Sequence, residues 1–109
     1  MPVAYRILGQ DAPLATTEVD LYTVPAATNT VASSVTITNR GATVATFRVA
    51  VVQGGGATGP RHYLYYDLPI AGYDTFIATI GVTMETNDVV RAYASSANLT
   101  FQLFGSEIT

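Results

Sequence analysis

The chain of 109 residues has a net charge of −3 and only 12% charged residues, with five arginines, one histidine and no cysteine. This length suits one domain with one core, and the acidic balance with scattered arginines argues against nucleic-acid binding through phosphate neutralisation. The lack of cysteine excludes disulfide bonds and thiolate-bound metals, and no apolar run reaches the roughly 18 residues of a membrane span.

The N-terminal residues resemble neither a signal peptide nor a regular element. They lack a basic region followed by a long apolar stretch, so we expect the protein to be made in the cytoplasm of a cell. Residues 1–18 include Pro2 and Pro13 and are predicted to form an N-terminal arm with at most a short strand at residues 5–8. The first clear strand is predicted at residues 19–24, immediately before a proline.

Residues 31–39 show the cleanest strand pattern, because apolar and polar side chains alternate with a period of two. The sequence Asn-Arg-Gly at residues 39–41 favours a turn, and a second alternating strand follows at residues 45–52. Together they predict a β-hairpin. The side chains predicted to face the core are Val31, Val35 and Ile37 from the first strand and Phe47, Val49 and Val51 from the second.

A glycine-rich loop and an aromatic strand occupy the middle of the chain. Residues 53–60 read QGGGATGP, a composition that disfavours regular structure and predicts a flexible connection or a contact loop. The strand after it, residues 62–68, is predicted to place one set of side chains outward and the alternate set inward. The outward set is Tyr63, Tyr65 and Asp67, and the inward set is Leu64, Tyr66 and Leu68.

Three more strands are predicted at residues 75–80, 89–94 and 99–104, separated by turns rich in Gly, Asn and Asp. No apolar pattern keeps a 3.6-residue period for ten residues. The whole chain, residues 1–109, is therefore predicted to be a single all-β domain. We expect an antiparallel β-sandwich, jelly-roll-like, with seven to eight short strands and little or no helix.

The inventory of reactive side chains argues against an enzyme. His62 is the only histidine, and it has no acidic neighbour at metal-ligand spacing. The acids Glu18 with Asp20, and Glu85 with Asp88, fall at a strand start and in a turn, where carboxylates are ordinarily solvated. The glycine run is not followed by the Lys-Ser/Thr of a phosphate-binding loop. We therefore expect no catalytic residue, no metal and no cofactor.

Interaction surfaces remain as the candidate functional sites. The outward faces of the predicted strands are rich in Thr, Ser and Ala, whereas solvated strands ordinarily carry charges that prevent association. The clustered tyrosines could form a ladder against a neighbouring strand, an oligomer interface or a platform for a sugar. The candidate interface residues are Tyr63, Tyr65, Tyr73, Gly54, Gly55, Gly56 and Arg61.

Several segments give the chain a resemblance to a known family, and the resemblance extends from about residue 19 to the C-terminus. It resembles small β-sandwich virion proteins of tailed bacteriophages, of the type found in phages of cyanobacteria and marine bacteria. The pattern is one of strands and turns, without a catalytic signature. The matching segments are LYTVPA at residues 21–26, VTITNRG at 35–41, TFRVAV at 46–51, HYLYYD at 62–67, DVVRAYAS at 88–95 and LFGSE at 103–107.

The resemblance implies a structural role in a virion. The interpretation we favour is a capsid decoration (cement) protein, a homo-oligomer, with a trimer favoured, that contacts other virion proteins such as the major capsid protein. The alternative is a tail, baseplate or fibre module, which could bind host-surface glycan. A stand-alone host sugar-binding domain is a third, weaker interpretation. Neither nucleic acid nor membrane is an expected partner.

Overall fold

Eight antiparallel strands form the molecule, which is described over residues 2–109 by a computed structural model. Two single-turn 3-10 helices lie at Gln53–Gly55 and Pro60–His62, and the described residues contain no α-helix. The strands are β1 (Val3–Asp11), β2 (Thr17–Thr23), β3 (Asn29–Asn39), β4 (Ala45–Val52), β5 (Tyr63–Ile70), β6 (Thr75–Glu85), β7 (Val89–Ala94) and β8 (Leu99–Ile108).

The strands divide into two four-stranded sheets. The first sheet has the order β1-β8-β3-β6, and the second has the order β2-β7-β4-β5. Within them β1 pairs with β8, β2 with β7, β3 with β6 and β4 with β5. This is the pattern of a long antiparallel hairpin rolled into a jelly roll, so the predicted fold class is confirmed.

The core lies between the two sheets and is built from alternate residues of the central strands. On β8 the inward side chains Leu99, Phe101 and Leu103 are fully buried, as is Ile37 on β3. The ring of Phe47 reaches across from β4 and meets Phe101 edge-on, with 6.3 Å between ring centroids. Burial of such side chains contributes roughly 1.5–3 kcal/mol each, and it holds the two sheets together.

The N-terminal segment forms a strand and the start of a second one, in place of the predicted arm. Residues from Val3 to Asp11 form β1 and pair along almost the whole length of β8, and residues from Thr17 belong to β2; Met1 lies outside the described residues. Gly9 allows β1 to approach the second sheet, since a Cβ there would lie 2.1 Å from the Leu21 carbonyl oxygen. Proline and glycine near the ends of this segment thus mark a bulged edge strand.

The predicted hairpin of residues 31–39 and 45–52 is also wrong. β3 belongs to the first sheet and β4 to the second, so the connection between them crosses from one sheet to the other. Asn39, which is buried, supports this crossing because its Nδ2 donates to the carbonyl oxygens of Thr43 at 2.8 Å and Ile70 at 3.2 Å. Turn-forming residues therefore indicated the turn but not the sheet that the next strand joins.

Bulges change which residues of a strand face the core. The register of β3 shifts between Ala32 and Ser34, so Thr30 and Ala32 are buried before the shift, and Val35 and Ile37 after it. Val31 lies on the outer face, contrary to the prediction. In β4, Phe47 and Val49 face inward as predicted, but Ala50 and Val52 are buried whereas Val51 is half-buried, after a register shift at residues 49–50.

Candidate interaction surfaces

The outer face of the first sheet is free of charged side chains over most of its length. The register aligns Tyr5 with Ser106 and Val31 in one row, and Ile7 with Phe104 and Ser34 in the next. The side chains that make up this uncharged face are Tyr5, Ile7, Val31, Ser34, Thr36, Ile77, Thr79, Gln102, Phe104 and Ser106.

Several side chains of the uncharged face are unusually exposed for their type. Tyr5 is 86% exposed and Ile77 is 70% exposed, at opposite edges of the sheet. Ile7 and Val3 are exposed beside Tyr5. Exposed apolar side chains grouped on one face, as Val3, Tyr5 and Ile7 are, are typical of an interaction site.

The outer face of the second sheet is different, because charged side chains are paired across it. Arg48 lies with its guanidinium carbon 4.2 Å from the ring centroid of Tyr66 and 4.4 Å from that of Tyr93. Its Nε donates to Asp67 Oδ1 at 2.6 Å. This bond holds the pKa of the Asp67 carboxyl below its usual range and raises the pKa of Arg48.

The glycine-rich loop is bound to this charged side of the molecule. Arg91 on β7 donates to the carbonyl oxygens of Gly55, at 3.1 Å, and Gly56, and to Thr58 Oγ1 at 3.0 Å. The same guanidinium donates from Nε to Asp20 Oδ1 at 2.9 Å. The loop is therefore held down by a side chain that, in the sequence, is only one of five scattered arginines.

The remaining loop anchors come from acidic residues. The Gly54 N–H donates to Asp88 Oδ1 at 2.9 Å, and Thr58 Oγ1 donates to Glu18 Oε1 at 3.0 Å. Gly54 and Gly55 have positive φ angles of 75° and 76°, which explains why glycine occurs at these positions. Gly54, Gly55 and Gly56 thus form an ordered turn against their own sheet.

The predicted tyrosine face is corrected by the structure. Tyr65 points between the sheets, where its ring centroid lies 6.0 Å from that of Phe47 and 5.2 Å from that of Phe76. Tyr66, predicted inward, is 58% exposed and meets Tyr63 edge-on at 4.8 Å. Irregular pairing of β5 with β4 and the positive φ of Asp67, 50°, break the simple alternation.

The other predicted interface residues lie apart from one another. Tyr73 is 76% exposed in the turn between β5 and β6, with a positive φ of 57°. Arg61 is exposed in the short helix that precedes β5. Beside that helix, Tyr63, Tyr66 and residues 58–60 line an open depression of about 440 Å³.

A buried polar cluster ties the two sheets together at one end. The hydroxyl of Tyr22, on β2, donates to the Glu107 carboxylate, on β8, and lies 2.8 Å from Thr30 Oγ1. Arg6 Nη1 lies 3.2 Å from the other carboxylate oxygen. Burial and the bond to Glu107 raise the pKa of Tyr22 to about 12.

The acidic residues and His62 do not converge. Within residues 2–109, no three His, Cys, Asp or Glu side chains lie close enough together to hold a metal ion. The Nδ1 atom of His62 accepts the Gly59 N–H at 2.8 Å, so this side chain closes its own turn. The described part of the chain also has no helix that is long and apolar enough to cross a membrane.

Comparison with known proteins adds a structural likeness. No protein-family model matches the sequence, and no curated protein matches it. A chain from the structure of infectious bursal disease virus, Gx strain, is similar to this one with a TM-score of 0.53 and 7% identity, over 97% of this chain and 31% of that chain. This chain thus spans about a third of that protein's length. What the two share is the fold.

Proposed function

We propose that this protein is a non-enzymatic structural component of a virus particle. The observation that carries the proposal is the uncharged outer face of the first sheet, with Tyr5 86% and Ile77 70% exposed. The jelly-roll fold supports it, because this fold is common in viral capsid domains, although it also occurs in lectins and cupins. The similar chain in the structure of infectious bursal disease virus supports it through its shared fold.

The size of the uncharged face suits a stable contact. Four strands about 4.8 Å apart and roughly ten residues long span about 650 Å². Two such faces in contact would bury about 1,300 Å², which falls within the range of specific protein interfaces. The second sheet offers a poorer interface, because Arg48, Asp67 and Arg91 would have to be covered together with their ion pairs.

The finer proposal is a capsid decoration protein of a tailed bacteriophage, and it draws on the resemblance of the sequence to small virion proteins of such phages. A homo-oligomer of this domain would bind across contacts between major capsid proteins and brace the shell. Each contact would be ordinary interface burial, and several linked contacts would act together through multivalency. The uncharged face is the surface we assign to these contacts.

The location of the protein on purified particles tests this proposal. Gold-labelled antibody against the chain should decorate the head at many repeated positions. Label confined to the tail tip would contradict the decoration role and favour the tail module.

A matched pair of variants tests the assigned surface. Thr36→Lys places a charge in the middle of the uncharged face, and we expect it to abolish decoration of particles that lack the protein. Thr17→Lys makes the same change at an exposed position of β2, in the second sheet, and should leave decoration intact. Equal binding by both variants would remove the uncharged face from the proposal.

The alternative role, a tail, baseplate or fibre module that binds glycan, is favoured by one observation. The depression of about 440 Å³ between residues 58–60 and the rings of Tyr63 and Tyr66 offers aromatic surface for a sugar. Glycan-array binding that is lost in Tyr66→Ala and kept in Tyr73→Ala would support this role. Absence of binding in the unmodified protein would count against it.

A further inference from the structure

The two sheets have four edge strands, and three of them carry features that prevent pairing with another strand. Charges, prolines and bulges on an edge strand block such pairing. β1 also has a register shift beside Gly9, and β5 pairs irregularly with β4. The charged and proline residues on these edges are Arg6 and Asp11 on β1, Glu18 and Asp20 on β2, and Asp67 and Pro69 on β5.

The fourth edge, β6, has such features only in its second half, where the strand bulges at residues 80–81 and ends at Glu85. Its sequence from Thr75 to Met84 is TFIATIGVTM, with no charged residue and no proline. The first part, Thr75 to Thr79, pairs with β3 in continuous register before two residues, Ile80 and Gly81, bulge opposite Ser33. A short β-prone segment without charge is the kind that pairs with further strands.

The inward side of β6 is also incompletely covered. Phe76, Ala78, Ile80 and Val82 pack against the core but are only half-buried. By contrast, the inward residues of the neighbouring central strands are fully buried, namely Val35 and Ile37 on β3 and Leu99, Phe101 and Leu103 on β8. On the outer side Ile77 is 70% exposed. The β6 edge therefore leaves apolar side chains open on both of its faces, beside its unpaired backbone groups.

We propose that residues 75–79 of β6 pair antiparallel with the same residues of a second copy, about a two-fold axis at Ile77. This deepens, and rests on, the proposed function, because it names the contact that makes the oligomer. Ile77 then faces its own counterpart, and Thr75 faces Thr79 of the other copy. The two first sheets become one eight-stranded sheet, and the half-buried Phe76 and Ala78 gain a neighbouring strand.

The chemistry of the edge selects a second copy as the occupant. A row of backbone N–H and C=O groups is satisfied by another strand. The antiparallel pattern of hydrogen bonds is self-complementary about a two-fold axis. Pairing with the β1, β2 or β5 edge of another copy would bring charged residues, or Pro69, against an uncharged strand. The geometry therefore predicts an even number of copies, whereas the expected trimer requires head-to-tail contacts.

Single-cysteine crosslinking tests the axis directly, because the native chain contains no cysteine. Facing residues of an antiparallel pair have Cα atoms about 4.5–5.5 Å apart, a separation that a disulfide accepts. Ile77→Cys in the full-length protein should convert to a covalent dimer within minutes under mild oxidation. The controls are Tyr5→Cys, on the opposite edge, and Tyr73→Cys, in the turn before β6. Similar rates for all three variants would overturn the proposal.

Sedimentation equilibrium of Ile77→Lys supplies the second measurement. Two like charges at the axis should weaken dimerisation at least about tenfold, while the circular dichroism spectrum of Ile77→Lys stays that of the wild type. Tyr5→Lys, with the same change at the other edge, should remain dimeric. If Ile77→Lys sediments with the same mass as the wild type, the proposed β6 contact is wrong. It is also wrong if the wild-type protein is a monomer at high concentration.

Failure of this inference and failure of the proposed function give different results. If Ile77→Lys still forms the wild-type oligomer and particles are labelled over the head, the β6 axis is wrong and the decoration role stands. If Ile77→Cys crosslinks but label is absent from particles, the β6 dimer stands and the virion role is wrong.

Discussion

Tyr22 is a residue whose chemistry depends on contact between the two sheets. Its hydroxyl donates to Glu107 across the gap between the sheets, and its pKa is raised from 10.0 to about 12. In the unfolded chain the same hydroxyl would ionise near pH 10. The folded state therefore retains a proton that the unfolded state loses in this pH range.

This difference in bound protons makes the free energy of unfolding depend on pH. Stability from Tyr22 is complete below pH 10 and declines as the pH rises from 10 towards 12, because the unfolded state binds fewer protons there. We expect the free energy of unfolding of Tyr22→Phe to fall less steeply over this range than that of the wild type. Urea denaturation at closely spaced pH values measures both slopes. Tyr73→Phe, at an exposed site, should keep the wild-type slope; a wild-type slope in Tyr22→Phe would contradict the assignment.

The aromatic residues of β5 show what alternation can predict at the residue scale. Period-two reasoning placed Tyr65 outward and Tyr66 inward, and the structure reverses them. The pattern YLYYD contains bulky side chains in adjacent positions, so either register would bury aromatic area. Contacts with Phe47 and Phe76 decide between them, and these residues come from other strands.

At the scale of elements, the loop between β4 and β5 depends on Arg91. Its guanidinium bonds two carbonyl oxygens and one hydroxyl of that loop and one carboxylate of β2. This set of donors needs the planar, forked geometry of arginine. A lysine would keep the charge but could not reach all of these acceptors.

We therefore expect Arg91→Lys to loosen the loop with little effect on the global fold. Hydrogen exchange of the amides at residues 54–58 should become at least about tenfold faster, since charge-assisted bonds worth roughly 1.5–3 kcal/mol each are lost. Arg61→Lys, at an exposed position near the loop, serves as the control. Unchanged exchange in Arg91→Lys would show that the glycine turn orders itself without this arginine.

Strands β8 and β3 approach each other closely at Gly105. A Cβ at Gly105 would lie 2.1 Å from the Val31 carbonyl oxygen, and both strands are central to the first sheet. Gly105→Ala should lower the free energy of unfolding by about 3 kcal/mol, the upper range for overpacking. Chemical denaturation should show no comparable loss for Gly56→Ala, where an added Cβ meets nothing within 4 Å. Equal stabilities would contradict the close approach of the two strands at Gly105.

At the scale of the whole molecule, the two sheets divide the surface by charge. The second sheet pairs its charges across its outer face, whereas the first sheet leaves Tyr5 and Ile77 exposed among uncharged neighbours. Association through the first sheet should therefore be insensitive to salt, since there is no charge pair to screen. The net charge of −3 adds only weak repulsion between copies.

Sedimentation at low and high ionic strength tests this division. Raising NaCl from about 0.05 to 0.5 M should leave the association constant unchanged or strengthen it by a few fold, through screening of the net charge. Arg48→Ala, a change on the second sheet, should show the same salt response. Tenfold weaker association at high salt would indicate that ion pairs, and hence a different surface, form the contact.

Sequence alone determined the all-β class and the approximate position of most strands, because period-two alternation and turn residues are local signals. Strand edges, bulges and burial depend on partners distant in the chain. The pairing of β1 with β8 turned a predicted arm into an edge strand, and the sheet order left β6 uncovered. The hydrogen bonds from Arg91 to the glycine-rich loop likewise join residues that are separated by 33 to 36 positions in the chain. Tertiary structure decided these features because long-range pairing, which local pattern does not encode, selects the neighbour of each strand.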